Sequence, residues 1–260
     1  MIQEWFRQLR GLFDRDDGIL ARPGKPSILQ AKACMKISCG NRMVASRGQP
    51  TETVSIDLVK EDIHFVLLVG AIGAGKSFFH RFVYRELIQN HSPKEVAFLF
   101  FDATGKEARE WEHSPYLYHS IVTEPEEGLR VLELIARESA GRQVRVPSIP
   151  ELVIHIEEDV FVLYDCDRFE KALREILRHR KTNAVYIFYS TSHRDYGLLE
   201  SWLKTFVDLR IVFKLDTEEE ALWLTGETTP VHFVSPGEHL LVFGSERIHC
   251  TAHMDTTEIL

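Results

Sequence analysis

Long hydrophobic runs are missing from this chain of 260 residues. Those present, such as residues 65–69 and 96–101, are the size of strands, far short of the ~20 apolar residues that span a bilayer. Cysteine is scarce as well. Cys34, Cys39, Cys166 and Cys250 make no disulfide framework. The C-x4-C spacing of the first two is one a zinc site uses, but no second Cys/His pair lies nearby to complete it, so all four read as reduced thiols. Positive charge is the third shortage: 31 Lys/Arg stand against 39 Asp/Glu, a net charge of −8. The deficit is uneven. Residues 1–50 hold nine Lys/Arg and four Asp/Glu, and the remaining 210 residues hold 22 and 35. An acidic body argues against wrapping nucleic acid over a broad surface, yet leaves room for DNA in a narrow channel lined by a few basic groups from several subunits. Internal repeats and low-complexity tracts are absent. Met1 to Phe13 is interrupted by Glu4, Arg7, Gln8 and Arg10, which does not read as a secretory signal, so the expected location is the cytoplasm.

What is present is a phosphate-binding signature. Residues 66–82 read VLLVGAIGAGKSFFHRF, and Gly70, Ala71, Ile72, Gly73, Ala74, Gly75, Lys76 and Ser77 satisfy G-x-x-x-x-G-K-[ST] at every fixed position. A short apolar run precedes the motif and a helix-compatible run, Phe78 to Gln89, follows it. The residue types follow from the chemistry. Glycines without β-carbons let successive N–H groups point at one phosphate chain, and the helix that starts near Lys76 adds the positive end of its dipole. Lys76 is expected on the β- and γ-phosphates and the Ser77 hydroxyl on Mg2+. The motif therefore implies a bound nucleoside triphosphate with Mg2+.

Along the chain, Ile2, Trp5, Phe6, Leu9 and Phe13 recur at helical spacing, predicting a short amphipathic helix that packs on its own domain, a neighbouring subunit or a membrane surface. Residues 14–27 read as a linker, so the division expected is 1–27 and 28–260. Residues 35–58 read as short strands around turns at Gly40-Asn41 and at Arg47 to Pro50. Strands at 96–102, 151–158, 184–190 and 209–215 then alternate with helices at 124–138, 172–180, 197–206 and 218–224, before a terminal hairpin over 239–252. That alternation predicts an α/β fold: a mainly parallel sheet covered by helices on both faces, with ligands at the carboxyl ends of its strands. A small N-terminal β extension and the amphipathic helix precede it.

Hydrolysis needs an acidic group on the metal and a group to orient water. The run ELVIHIEED places Glu157 and Glu158 at the end of an apolar strand. Glu157 is expected to face Mg2+ or its water shell, and Glu158 to orient the attacking water. The strand at 184–190 runs into Ser190, Thr191, Ser192, His193 and Arg194, polar residues placed to sense a γ-phosphate. The basic run Arg174, Arg178, His179, Arg180 and Lys181 closes a helix, where cations complement the dipole or touch a DNA backbone.

The ordered set of motifs over about residues 36–260 resembles the motor domain of the FtsK/SpoIIIE-type DNA translocases, within the wider HerA/FtsK group of P-loop ATPases. VSIDLVKEDIHFVLLVGAIGAGKS is similar to that family's lead-in and loop, and VAFLFFD to its second strand, with Asp102 at the family's Asp. LVIHIEEDVF falls on its Val-Asp-Glu segment, YSTSHRDYGLLESWLKTFVDLRIVF on its Ala-Thr-Gln-Arg-Pro segment, and PGEHLLVF with MDTTEIL on its closing elements. The resemblance implies a RecA-like P-loop NTPase and a DNA-stimulated ATPase. It further implies a homo-oligomeric ring, a hexamer, with double-stranded DNA through its centre. Four departures stand against fast turnover: Glu157 replaces the family Asp, Ser192 its Gln and Glu219 an Arg near the last helix, and the stretch between Arg142 and Ile149 is short. A nucleotide-binding assembly subunit with weak or no ATPase activity is the rival reading. A small-molecule kinase is a third, but no arginine-rich lid is evident.

Overall fold

The computed structural model describes residues 34–43, 50–141, 149–157, 160–192, 202 and 205–252, all within one compact unit. The expected amphipathic helix and linker, Glu158, His193, Arg194 and the last eight residues lie outside the described residues, as does most of the expected helix at 197–206.

The strands are β1 (Lys36–Met43), β2 (Pro50–Asp57), β3 (Phe65–Val69), β4 (Val96–Asp102), β5 (Glu151–Glu157), β6 (Val185–Thr191), β7 (Leu209–Phe213), β8 (Glu238–Phe243) and β9 (Glu246–Thr251). The helices are α1 (Lys76–Asn90), α2 (Pro125–Gly141), α3 (Val160–Tyr164), α4 (Cys166–Arg178), α5 (Arg180–Asn183) and α6 (Glu218–Thr225). All nine strands join in one sheet of order β2-β1-β9-β8-β7-β3-β6-β5-β4. From β7 to β4 the pairing is parallel; from β7 through β8, β9 and β1 to β2 it is antiparallel. The expected parallel α/β core is there, and the N-terminal strands extend it through the C-terminal hairpin.

Strands buried on both faces read as continuous apolar runs, and β3, β4 and β6 are buried at every residue. Alternate residues feed two separate cores. Phe65, Leu67 and Val69 of β3 join Leu99 and Phe101 of β4 under α2 and α4. Val66 and Leu68 join Phe98 and Phe100 on the opposite face, packed by Phe79, Val83, Tyr84 and Leu87 of α1.

One expected turn is a strand instead. Gly40-Asn41 lies inside β1, where the β1–β2 register shifts between Ser38 and Gly40. Gly40 has φ +106, and a β-carbon there would lie 2.3 Å from the Thr251 carbonyl oxygen of the neighbouring strand. The glycine allows a bulge and a close backbone approach rather than a reversal.

Candidate functional site

Three strand ends converge at the carboxyl edge of the parallel core. β6 lies between β3 and β5, with Val69 opposite Thr191 and Glu157 opposite Ser190. The chain leaves β3 at Gly70 and is pinned at once, by Gly70 N–H to Thr191 O (3.3 Å) and Ala71 N–H to Lys214 O (2.8 Å). It then curls into α1 through Gly75, which has φ +108. A β-carbon on Gly75 would stand 2.6 Å from the Gly237 nitrogen, so glycine is required for conformation and for space. On that side Gly237 N–H donates to Ala74 O (2.9 Å), bracing the loop from behind.

The amides of Ile72, Gly73 and Gly75 have no backbone acceptor among the described residues, and those of Lys76 and Ser77 open a helix. Unused donors in a curl at a helix N-terminus suit a polyphosphate. The Lys76 ammonium, buried, donates to Gly70 O (2.7 Å) and Ala71 O (3.2 Å), so loop carbonyls hold it inside the curl. Ser77 lines a small cavity together with His80 and His155.

Glu157 reaches the same place from β5. Its carboxylate, 14 % exposed, turns towards α1: Oε2 lies 3.7 Å from His80 Nδ1 and 3.0 Å from His155 Nε2. His80 is one turn after Lys76, and Lys76 acts on it electrostatically. His80 thus stands between the first turn of α1 and the β5 carboxylate. Beneath them, Tyr84 Oη lies 2.7 Å from His155 Nδ1. With the proton on Nε2, His155 donates to Glu157 and accepts from Tyr84. Burial holds His80 well below the usual imidazole range, with His155 and Lys76 adding to it, and burial followed by Glu157 raises the Tyr84 phenol well above its own.

Sequence reasoning singled out neither histidine. The signal available was arithmetic: His155 is two residues before Glu157, on the same strand face, and His80 is three after Ser77, on the same helix face.

Other candidates take different places. Asp102 is fully buried and structural in its contacts, accepting from Thr104 N and Oγ1, Gly105 N and Ala108 N at 2.8–3.1 Å. Ser192 is exposed, and Glu219 is exposed in the first turn of α6. The basic run closing α4 is mostly matched by acids: Arg174 pairs with Glu170, Arg178 and His179 with Glu175, and Arg180 with Asp62 and Asp208. That arrangement supports a helix-end and ion-pair role for the run.

The FtsK/SpoIIIE family model matches residues 39–148, which include the loop, α1 and β4. Over that stretch the chain is similar to FtsK/SpoIIIE-type ATPase domains. Curated relatives include the DNA translocase FtsK of Staphylococcus aureus (strain Mu50), 19% identical over 254 residues, covering 86% of this chain and 32% of the relative. DNA translocase FtsK of Leptospira interrogans is 21% identical over 213 residues, covering 72% of this chain and 22% of the relative. The chain thus spans about a third, or less, of the length of these relatives. Among solved structures, the cytoplasmic domain of the Thermomonospora curvata Type VII secretion ATPase EccC superposes with a TM-score of 0.67 at 20% identity, covering 92% of this chain and 30% of that one. The pCW3 conjugation coupling protein TcpA, with ATPgS, gives 0.64 at 16%, covering 88% and 68%. These likenesses show the fold of P-loop ATPase domains. No helix among the described residues is long and apolar enough to cross a membrane.

Proposed function

We propose that the chain is an ATP-driven motor that moves double-stranded DNA, working as a homo-oligomeric ring, a hexamer. The observation that carries this reading is the approach of Glu157 to the first turns of α1, where Lys76 and Ser77 sit. Lys76, released from the carbonyls of Gly70 and Ala71, pairs with the β- and γ-phosphates. The amides of Ile72, Gly73 and Gly75 and of the first turn of α1 hold the remaining phosphate oxygens. Ser77 and Glu157 hold magnesium, which when bound neutralises charge developing on the phosphates. Glu158, the next residue after Glu157, orients the attacking water. Duplex DNA is gripped by its phosphates, without base reading, in a channel shared between subunits. Steady-state ATPase with and without duplex DNA tests the reading. The rate is expected to rise with DNA, and Lys76→Ala and Glu158→Gln are each expected to abolish the rise.

A second reading has observations of its own. Glu157 is engaged by His155, Lys76 is closed on its own loop, and an acid, Glu219, stands exposed where the family resemblance expects an arginine. Losing an arginine finger costs on the order of a thousandfold in rate. A nucleotide-binding assembly subunit would bind ATP tightly in the same experiment and show no turnover with DNA.

A further inference from the structure

His80 is an anomaly. It is 3 % exposed, its Nε2 has no hydrogen-bond partner among the described residues, and its Nδ1 stands 3.7 Å from Glu157 Oε2, beyond hydrogen-bond range. An imidazole always carries a donor or a lone pair on each nitrogen, so burying one with neither used is costly. A second orphan lies close by. Ser190 Oγ is buried without a partner among the described residues, and Ser190 stands opposite Glu157 in register, which puts both side chains on the same sheet face. With its proton on Nε2, His80 turns the Nδ1 lone pair towards the Glu157 carboxylate with no hydrogen bond between them, which marks a place for another group there.

The ligand set says which group. One donor atom from each of His80, His155 and Glu157 can be chosen so that all three lie within 4.8 Å of one another. Bonds of about 2.0–2.1 Å in a tetrahedron set ligand atoms about 3.4 Å apart. The two separations to Glu157, 3.0 and 3.7 Å, bracket that value. The supporting contact is also in place. If His155 Nε2 gives its lone pair to a metal, Nδ1–H donates to Tyr84 Oη at 2.7 Å, the outer hydrogen bond that fixes a ligating histidine.

We propose that His80 Nδ1, His155 Nε2 and Glu157 Oε2 form a site for a borderline divalent transition metal of the zinc class, leaving a fourth position for water. Two imidazoles and one carboxylate suit zinc and its neighbours, and magnesium prefers oxygen alone. The site needs no nucleotide; it shares Glu157 with the magnesium position proposed above, so the two metals compete for that carboxylate.

The test is titration of the chelator-treated full chain, free of nucleotide, with Zn2+ against a competing chromophoric chelator, and with Co2+ read by its visible absorption. One equivalent should bind, and Co2+ should give the intense d–d bands of a four-coordinate site without thiolate charge-transfer bands. His80→Asn and His155→Gln should each weaken binding at least tenfold. Cys34→Ser, which removes the exposed thiol, should leave it unchanged. No one-to-one binding, thiolate bands, affinity unmoved in the two histidine variants, or affinity lost in Cys34→Ser would each overturn the assignment. Should the histidine variants fail to fold by circular dichroism, the Co2+ spectrum of the unaltered protein decides alone.

Discussion

Gly75 carries more than its place in a motif. It is the left-handed residue that opens α1, and it lies against the Gly237 backbone with no room for a methyl group. Gly75→Ala is expected to cost on the order of 1–3 kcal/mol in denaturant unfolding, from strain and from the displaced 235–239 turn. It should also lower affinity for a fluorescent ATP analogue. Lys76→Ala removes the donor to the Gly70 and Ala71 carbonyls, so a modest drop in the unfolding midpoint is expected, with nucleotide affinity falling roughly tenfold to a hundredfold as a charge-assisted contact is removed. The loop was readable from sequence because phosphate geometry fixes both spacing and residue types. His80 and His155 were not, because nothing in the letters FFH or IHIE records that two helix turns and a strand end enclose them.

At the scale of elements, the 103–108 segment is organised by one carboxylate. Asp102 accepts three backbone N–H bonds and one hydroxyl bond from Thr104, Gly105 and Ala108. Asp102→Ala leaves those donors without their acceptor and is expected to destabilise the chain by on the order of 3 kcal/mol. Limited proteolysis should show faster cleavage between residues 103 and 111. The family resemblance set Asp102 at the family's Asp; its contacts in the structure are those of local turn building. The parallel strands were legible in the sequence because each is an unbroken apolar run set between helices. The turn expected at Gly40-Asn41 was not one, because a bulge beside Thr251 and a reversal ask for the same residue type.

Across the whole molecule, buried histidines tie stability to acidity. His239 is fully buried between the carbonyls of Gly237 (2.9 Å to Nδ1) and Cys39 (2.7 Å to Nε2). Burial outweighs those two acceptors and lowers its pKa to about 4, and His64 is lowered by burial as well. Below about pH 6.5 the unfolded chain therefore takes up protons that the native chain refuses. Stability should be fully present above that pH and decline as pH falls towards 4, by about 3 kcal/mol from His239 alone. Urea unfolding from pH 4 to 7.5 checks this, and His239→Gln should flatten the slope. The link from Cys39 to His239 also marks what no local pattern could reveal. The C-terminal hairpin was readable as a hairpin, but its docking of β9 on β1 joins residues some two hundred positions apart.

Gly237 stands where two ends of this fold meet. Its N–H holds Ala74, its carbonyl oxygen takes the N–H of Ala252 just past β9 (2.9 Å), and its backbone is the wall behind Gly75. A pull along β9 is thus one peptide unit away from the glycine curl that opens α1. A lever that short would carry a shift of the hairpin straight into the first turn of that helix.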